Sequence, residues 1–165
     1  MIKTKGVLSD TGEVFRSWEK KIGWIDTDRT KAAYGFLGYE GSIKLKGLEM
    51  NVDTDFATIA ISSLTDDPVS CSDNMLLTAV GRSENTNMKF NDTHDEMLDI
   101  GIPPIQVEVI EAEIKIRTDV KNLKVWSVNA EGFFAGVIPS SYENGIFRFK
   151  IGECFPSMYY LIQVE

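Results

Sequence analysis

The chain has 165 residues, of which 43% are hydrophobic and 25% charged, and a formal net charge of −8 at pH 7. That length suits one well-cored domain, residues 1–165, and is short for two; the composition excludes an intrinsically disordered chain. The acidity argues against nucleic-acid and anionic-membrane partners, which need clustered Lys and Arg, and no window approaches the ~18 continuous apolar residues of a membrane span.

In chain order, the N-terminal Met1-Ile2-Lys3-Thr4-Lys5 lacks the apolar core of a signal peptide. Glu13 to Ile22 has neither a clear N-cap nor a strong apolar stripe, and Val14, Arg16 and Trp18 fit a strand equally well. Glu19-Lys20-Lys21 reads as a turn. Gly35-Phe36-Leu37-Gly38-Tyr39-Glu40-Gly41 lacks the lysine and the strand-to-helix context of a phosphate loop, and reads as a connection between strands.

From Ile43 the period is two. Ile43 and Leu45 alternate with lysines, and after Gly47 the apolar set Leu48, Met50, Val52 continues on the other parity, which predicts a β-bulge at Gly47. Asp53-Thr54-Asp55 reads as a turn, with Ala57, Ile59 and Ile61 in its hairpin partner. The continuous apolar run Met75 to Val80 predicts a strand covered on both faces. Ile105, Val107 and Val109, then Ile110, Ala112, Ile114 and Ile116, give the longest strand signal, with a bulge or a bend between two sheets at Val109-Ile110. Leu123–Val128, Phe147–Ile151 and Met158–Val164 are three more strands; Asn129-Ala130-Glu131-Gly132 and Glu143-Asn144-Gly145 are hairpin-type turns. With no strand-helix alternation, the expectation is an all-β, antiparallel two-sheet β-sandwich, jelly-roll-like.

Little in the sequence marks chemistry. The single histidine, His94, sits in a polar stretch and reads as a surface loop residue, which leaves nucleophile-histidine catalysis and histidine metal sites without a partner. Twenty-five acidic residues guarantee some close pair, but no pattern marks one as a glycosidic acid and base. Asp53-Thr54-Asp55, Thr65-Asp66-Asp67 and Asn91–Asp95 offer oxygens to a structural calcium; none matches an EF-hand loop, and turn chemistry is the favoured reading, with no cofactor expected. Cys71 and Cys154 have no C-x-x-C spacing and are expected as buried or half-buried free thiols, with a disulfide as the alternative. Trp18, Trp24, Trp126, Tyr34, Tyr39, Tyr142, Tyr159 and Tyr160 could stack on sugar rings, although strand aromatics are more often core or interface.

Four blocks are similar to the C-terminal β-sandwich of multidomain glycoside hydrolases that carry a (β/α)-barrel catalytic domain: Ser9–Glu13; Ile25–Thr30 with Gly35–Gly38; Ile61–Val69 running into Met75–Met88; and Pro104–Glu108. The third is the most specific, and together they cover nearly the whole chain. The resemblance implies a non-catalytic accessory module whose partner is the barrel of its own parent chain. Asp28 stands where that family tends to have Pro, and Asn87 where it tends to have Gly, Asn being the commonest substitute at a left-handed position.

Three readings then compete: an accessory module packed on its barrel, a carbohydrate-binding module, and a free-standing enzyme. The candidate binding residues, for a barrel or a glycan, are Asp10, Glu13, Trp18, Trp24, Asp26 and Arg29, with Ser9 to Arg29 as the docking edge. At least one of Trp18 and Trp24 is expected to be partly exposed. The competing reading of Arg29 is a local pair with Asp26 or Asp28.

Overall fold

The computed structural model describes residues 5–165; Met1–Thr4, most of the N-terminal stretch that lacks the apolar core of a signal peptide, lies outside the described residues. The chain is an all-β sandwich. Its strands are β1 (Gly6–Leu8), β2 (Val14–Ser17), β3 (Ile22–Asp26), β4 (Thr30–Gly35), β5 (Ile43–Leu45), β6 (Leu48–Val52), β7 (Ala57–Ser63), β8 (Asn74–Val80) and β9 (Ser83–Thr86). There follow β10 (Lys89–Phe90), β11 (Met97–Asp99), β12 (Ile102–Val107), β13 (Ala112–Arg117), β14 (Leu123–Val128), β15 (Phe134–Ile138), β16 (Ser140–Glu143), β17 (Ile146–Ile151) and β18 (Tyr159–Val164). The only helical element among the described residues is a 3₁₀ turn at Leu37–Tyr39.

Every pairing is antiparallel. One sheet has nine strands in the order β1-β2-β3-β4-β7-β8-β18-β14-β15, the other five in the order β16-β17-β13-β6-β5. The alternation seen in the sequence puts one parity of each central strand into a common core: Ile59 and Ile61 of β7, Met75 and Leu77 of β8, and Tyr160 and Ile162 of β18 meet Ile114 and Ile116 of β13 and Phe147 and Phe149 of β17. The smaller sheet underlies the larger from β3, where the β5–β6 turn touches Asp26, to β15, which touches β17. At the end where β1 and β2 lie, Phe15 stacks on Trp24 at 5.3 Å and closes the side of the core, so Trp24 stays half-buried.

Several local expectations change. Gly47 is no bulge: β5 and β6 pair with each other through a two-residue turn in which Gly47 has φ +77°, so the parity switch records a reversal of the chain. β7 is not the hairpin partner of β6, because Asp53-Thr54-Asp55 carries the chain across to the other sheet, where β7 pairs with β4 and β8. At Val109-Ile110 there is no bulge within one strand but a passage between two sheets, the other reading of that position: β9 and β12 form a ribbon off the sandwich, with β10 and β11 as a smaller pair within it, and β13 lies in the five-stranded sheet. Pro103 and Pro104 offer no N–H, which keeps β12 out of a sheet interior. Asn87 occupies the left-handed region at φ 62°, as its place in a glycine-like position requires, and Asn144-Gly145 makes the β16–β17 turn with both residues at positive φ.

Gly35, like Gly101, is fixed by contact as well as conformation. Gly35 ends β4 at φ +109°, and a Cβ there would lie 2.1 Å from the carbonyl oxygen of Lys21. Gly35→Ala is therefore expected to lower stability in urea denaturation by about 3 kcal/mol. Gly41→Ala, at φ +71° with nothing within 4 Å, should lose only about 1 kcal/mol; equal losses would show that the backbone approach is not the constraint.

Candidate functional site

The two sheets present opposite kinds of outer face. On the five-stranded sheet the outward residues are charged: Glu113 and Lys115 of β13 stand beside Glu49 of β6 and Arg148 of β17. Lys115 binds Glu49 at 2.9 Å and Glu113 at 3.2 Å, and Asn51 Nδ2 donates to Glu113 at 3.1 Å. The Lys115 hydrogen bond, against a smaller effect of burial, holds the Glu49 carboxyl below its ordinary value. Burial pushes the Glu113 carboxyl up, but the hydrogen bonds from Lys115 and Asn51 and the charges of Lys115 and Arg148 together carry it down; Lys115 is raised by its bonds to Glu49 and Glu113. This is a solvated face.

The nine-stranded sheet behaves differently. Residues directly opposite in an antiparallel ladder share a face, and the register aligns two outward rows. One runs Val137, Trp126, Leu161, Leu76, Ser62, Thr30; the next runs Phe134, Val128, Tyr159, Thr78, Ala60, Ala32, Ile25, Val14. The second row crosses eight strands, about 34 Å at the ~4.8 Å strand spacing. Neither row contains a charged residue, in a chain with 25 acidic and 17 basic ones. Phe134 is 55% exposed, and Trp126 lies 5.1 Å from it, half-buried. Met75–Val80 is therefore covered on one face only: Met75, Leu77 and Ala79 face the core, while Leu76 points outward among Leu161 and Trp126.

The apolar surface continues onto the β9–β12 ribbon, where Met97, Leu98, Ile100, Ile102, Ile105 and Val107 are all exposed. Val107 and Val109 line one groove with Val128, Pro156, Met158 and Tyr159, which joins the base of the ribbon to the sheet face.

The six sequence candidates do not converge. The Ser9–Glu13 turn and the Thr27–Arg29 turn lie together at one end of the sheet, where the Asp26 N–H donates to the Glu13 carbonyl at 2.8 Å; Asp10 and Glu13 are exposed there. Trp18, 54% exposed, stands at the opposite end in the β2–β3 turn, and Trp24 lies mid-strand against Phe15. Arg29 pairs with neither Asp26 nor Asp28. Its guanidinium reaches Asp66 of the β7–β8 loop at 3.2 Å, while Asp28 pairs with Lys46. The reason is that the β3–β4 turn is bonded to that loop, Ser63 N–H donating to Arg29 O and Val69 N–H to Asp28 O, so three of the four resemblance-bearing blocks meet at this end. The loop itself is knit by the buried Ser72 hydroxyl, within 3.1 Å of Ser63 and Thr65 and donating to Asn74 O.

Asp26 has a structural occupation. Its carboxylate accepts from Lys31 Nζ at 2.5 Å, and its other oxygen accepts the Lys46 N–H at 2.7 Å, which links the two sheets. The Lys31 side chain is only 5% exposed and also donates to Thr27 O. Cys71 and Cys154 are free and exposed, not buried, because each lies in a surface turn and not on an inward strand position. His94 is exposed and stacks on Phe90. Among the described residues no group of three or more His, Cys, Asp or Glu is disposed to hold a metal ion.

Two outcomes check this electrostatic assignment. Asp26→Ala leaves a buried ammonium without its carboxylate and should cost about 3 kcal/mol in chemical denaturation, against less than about 1 kcal/mol for Arg29→Glu at its exposed pair; the reverse order would refute the assignment. For Glu49 and Glu113, folded values below the ordinary 4.5 mean a stabilisation present above pH 4.5 and lost as pH falls through the depressed values. Lys115, raised above 10.5, contributes below that pH and loses its part as pH rises through the raised value. A stability profile of Glu113→Gln should thus fall less steeply than wild type below pH 4.5.

No protein-family model, curated protein or solved structure matches the chain.

Proposed function

We propose that this sandwich is a non-catalytic accessory domain of a glycoside hydrolase, and that it packs on the catalytic barrel of its parent chain through the outer face of the nine-stranded sheet. The observation that carries the reading is the asymmetry of the two outer faces. A strand whose outer side meets water alternates apolar with polar residues, as β6, β13 and β17 do. β8, β14, β15 and β18 place Leu76, Trp126, Val137 and Leu161 where water-facing strands put polar side chains. Contiguous apolar patches beyond a few hundred Å² on a soluble protein mark interaction surfaces.

Aliphatic Leu76, Val128, Val137 and Leu161 between the aromatics favour a protein occupant over a sugar on this face, since stacking on a sugar ring uses a flat aromatic and gains little from leucine. The barrel is the occupant that the resemblance of Ile61–Val69 and Met75–Met88 implies, and Leu76 belongs to the latter segment.

The test compares two proteins. Leu161→Arg would place a charge in the proposed contact and is expected to destabilise the full-length enzyme by about 3 kcal/mol. The isolated 165-residue chain, where Leu161 is half-buried with one side open to solvent, should change by no more than about 1 kcal/mol. Equal shifts in the two would remove this face as the interface. Turnover of an aryl glycoside by the isolated chain, lost on changing one of its own acids, would overturn the accessory role itself.

A further inference from the structure

At the end of the sheet away from the loop cluster, Arg16, Trp18, Lys21, Tyr34, Phe56 and Thr58 line a groove of about 290 Å³. That volume sits near the lower end for small-ligand sites. From it we propose a binding site for a carboxylated sugar, a uronic acid residue of a glycan. The groove occupies the next outward row of the same sheet face, Arg16, Tyr34 and Thr58 standing beside Val14, Ala32 and Ala60, so it forms a rim of the proposed docking face outside its two apolar rows.

The groove combines the two features such a ligand needs. Trp18 offers a largely exposed indole to the ring, and Tyr34 lies across the floor, its ring occupying the space above Gly23, where a Cβ would come within 2.3 Å of it. Arg16 and Lys21 supply two positive charges on a chain of net charge −8, and no acidic side chain lines the groove. Among the described residues neither cation has a salt-bridge partner, whereas neighbouring Lys20 pairs with Glu40 and Glu19 with Lys5. A guanidinium fork matches a carboxylate in two parallel hydrogen bonds.

The placement of Lys21 adds a second observation. It occupies the left-handed region at φ 55°, and of the five non-glycine residues at positive φ three are asparagine and one is His94. A turn alone would be served at lower conformational cost by Gly or Asn. Here the Lys21 ammonium extends over the Phe36 ring, 5.5 Å from its centroid, and Phe36 is itself packed edge-on against Phe56. The cation is thus braced beside the aromatic wall instead of trailing into solvent.

The experiment is an amide-NMR and tryptophan-fluorescence titration of the chain with a trimer of galacturonic acid, with neutral maltotriose and sodium acetate as comparison probes. The acidic trimer is expected to shift Trp18 and Lys21 signals saturably below about 10 mM and to weaken as salt rises. Arg16→Gln and Lys21→Gln should each raise its Kd about tenfold, Trp18→Ala should abolish binding, and Trp18→Phe should restore part of it, all with melting temperatures near wild type. Acetate binding as well as the trimer would reduce the site to a bare anion contact and overturn the sugar assignment. Equal binding of maltotriose would overturn the anionic one, and no saturable shift at about 10 mM, or unchanged affinity in the variants, would overturn the site.

Discussion

A strand has two faces, and a two-layer sandwich can bury only one face of each sheet; that constraint organises this molecule. In the five-stranded sheet the constraint is obeyed on both sides, with Ile114 and Ile116 inward and Glu113 and Lys115 outward on the same strand. In the nine-stranded sheet the inward side is as well packed, yet the outward rows around Trp126, Leu161 and Leu76 carry no charge. Burial is worth about 25 cal/mol per Å² of apolar surface, and that stabilisation is unrealised on this face. The central outward rows of this sheet, between Lys124 on one flank and Arg16 on the other, have the composition of a middle layer.

That view also orders the loop end of the sandwich. Asp26, held between Lys31 and the Lys46 amide, fixes β3 to the β5–β6 turn and so fixes the smaller sheet beneath the larger. The β3–β4 turn is then bonded to the β7–β8 loop through Ser63 and Val69, and that loop is internally tied by Ser72. These are conformational tasks, and they account for the short polar residues that recur in Ile61–Val69. Arg29 and Asp66, both largely exposed, decorate the joint and contribute little to it.

Much of the fold was legible in the sequence because period-two alternation is a strong signal where one face is buried: β6, β7, β13, β14, β17 and β18 all follow it. Pairing was less legible. Nothing local distinguishes a turn that reverses a strand within its sheet, as at Lys46-Gly47, from one that carries it to the other sheet, as at Asp53-Thr54-Asp55. The short β15 and β16 escaped notice because Phe133–Ile138 mixes exposed aromatics with Gly136, and β9 because Ser83–Thr86 has no apolar member. For the candidate site the signal was present but misassigned. The run Met75–Val80, interrupted by Thr78, predicted a strand covered on both faces, and the fold supplies a cover for only the face of Met75, Leu77 and Ala79.

The unassigned half of that signal points to a different surface from the charged blocks of Ser9 to Arg29. Charged residues stand out in a sequence, but on folding Asp26 is consumed by Lys31, Arg29 by Asp66 and Asp28 by Lys46. An apolar face, by contrast, is assembled from alternate residues of eight strands scattered between Val14 and Tyr159, and no segment of the sequence displays it. The exposed ribbon residues Ile102, Ile105 and Val107 extend the same argument, since a two-stranded ribbon gains little stability alone. Of these, Val107 reaches Tyr159 and Val128 through the groove at the base of the ribbon, which sets the ribbon beside the apolar rows of the sheet.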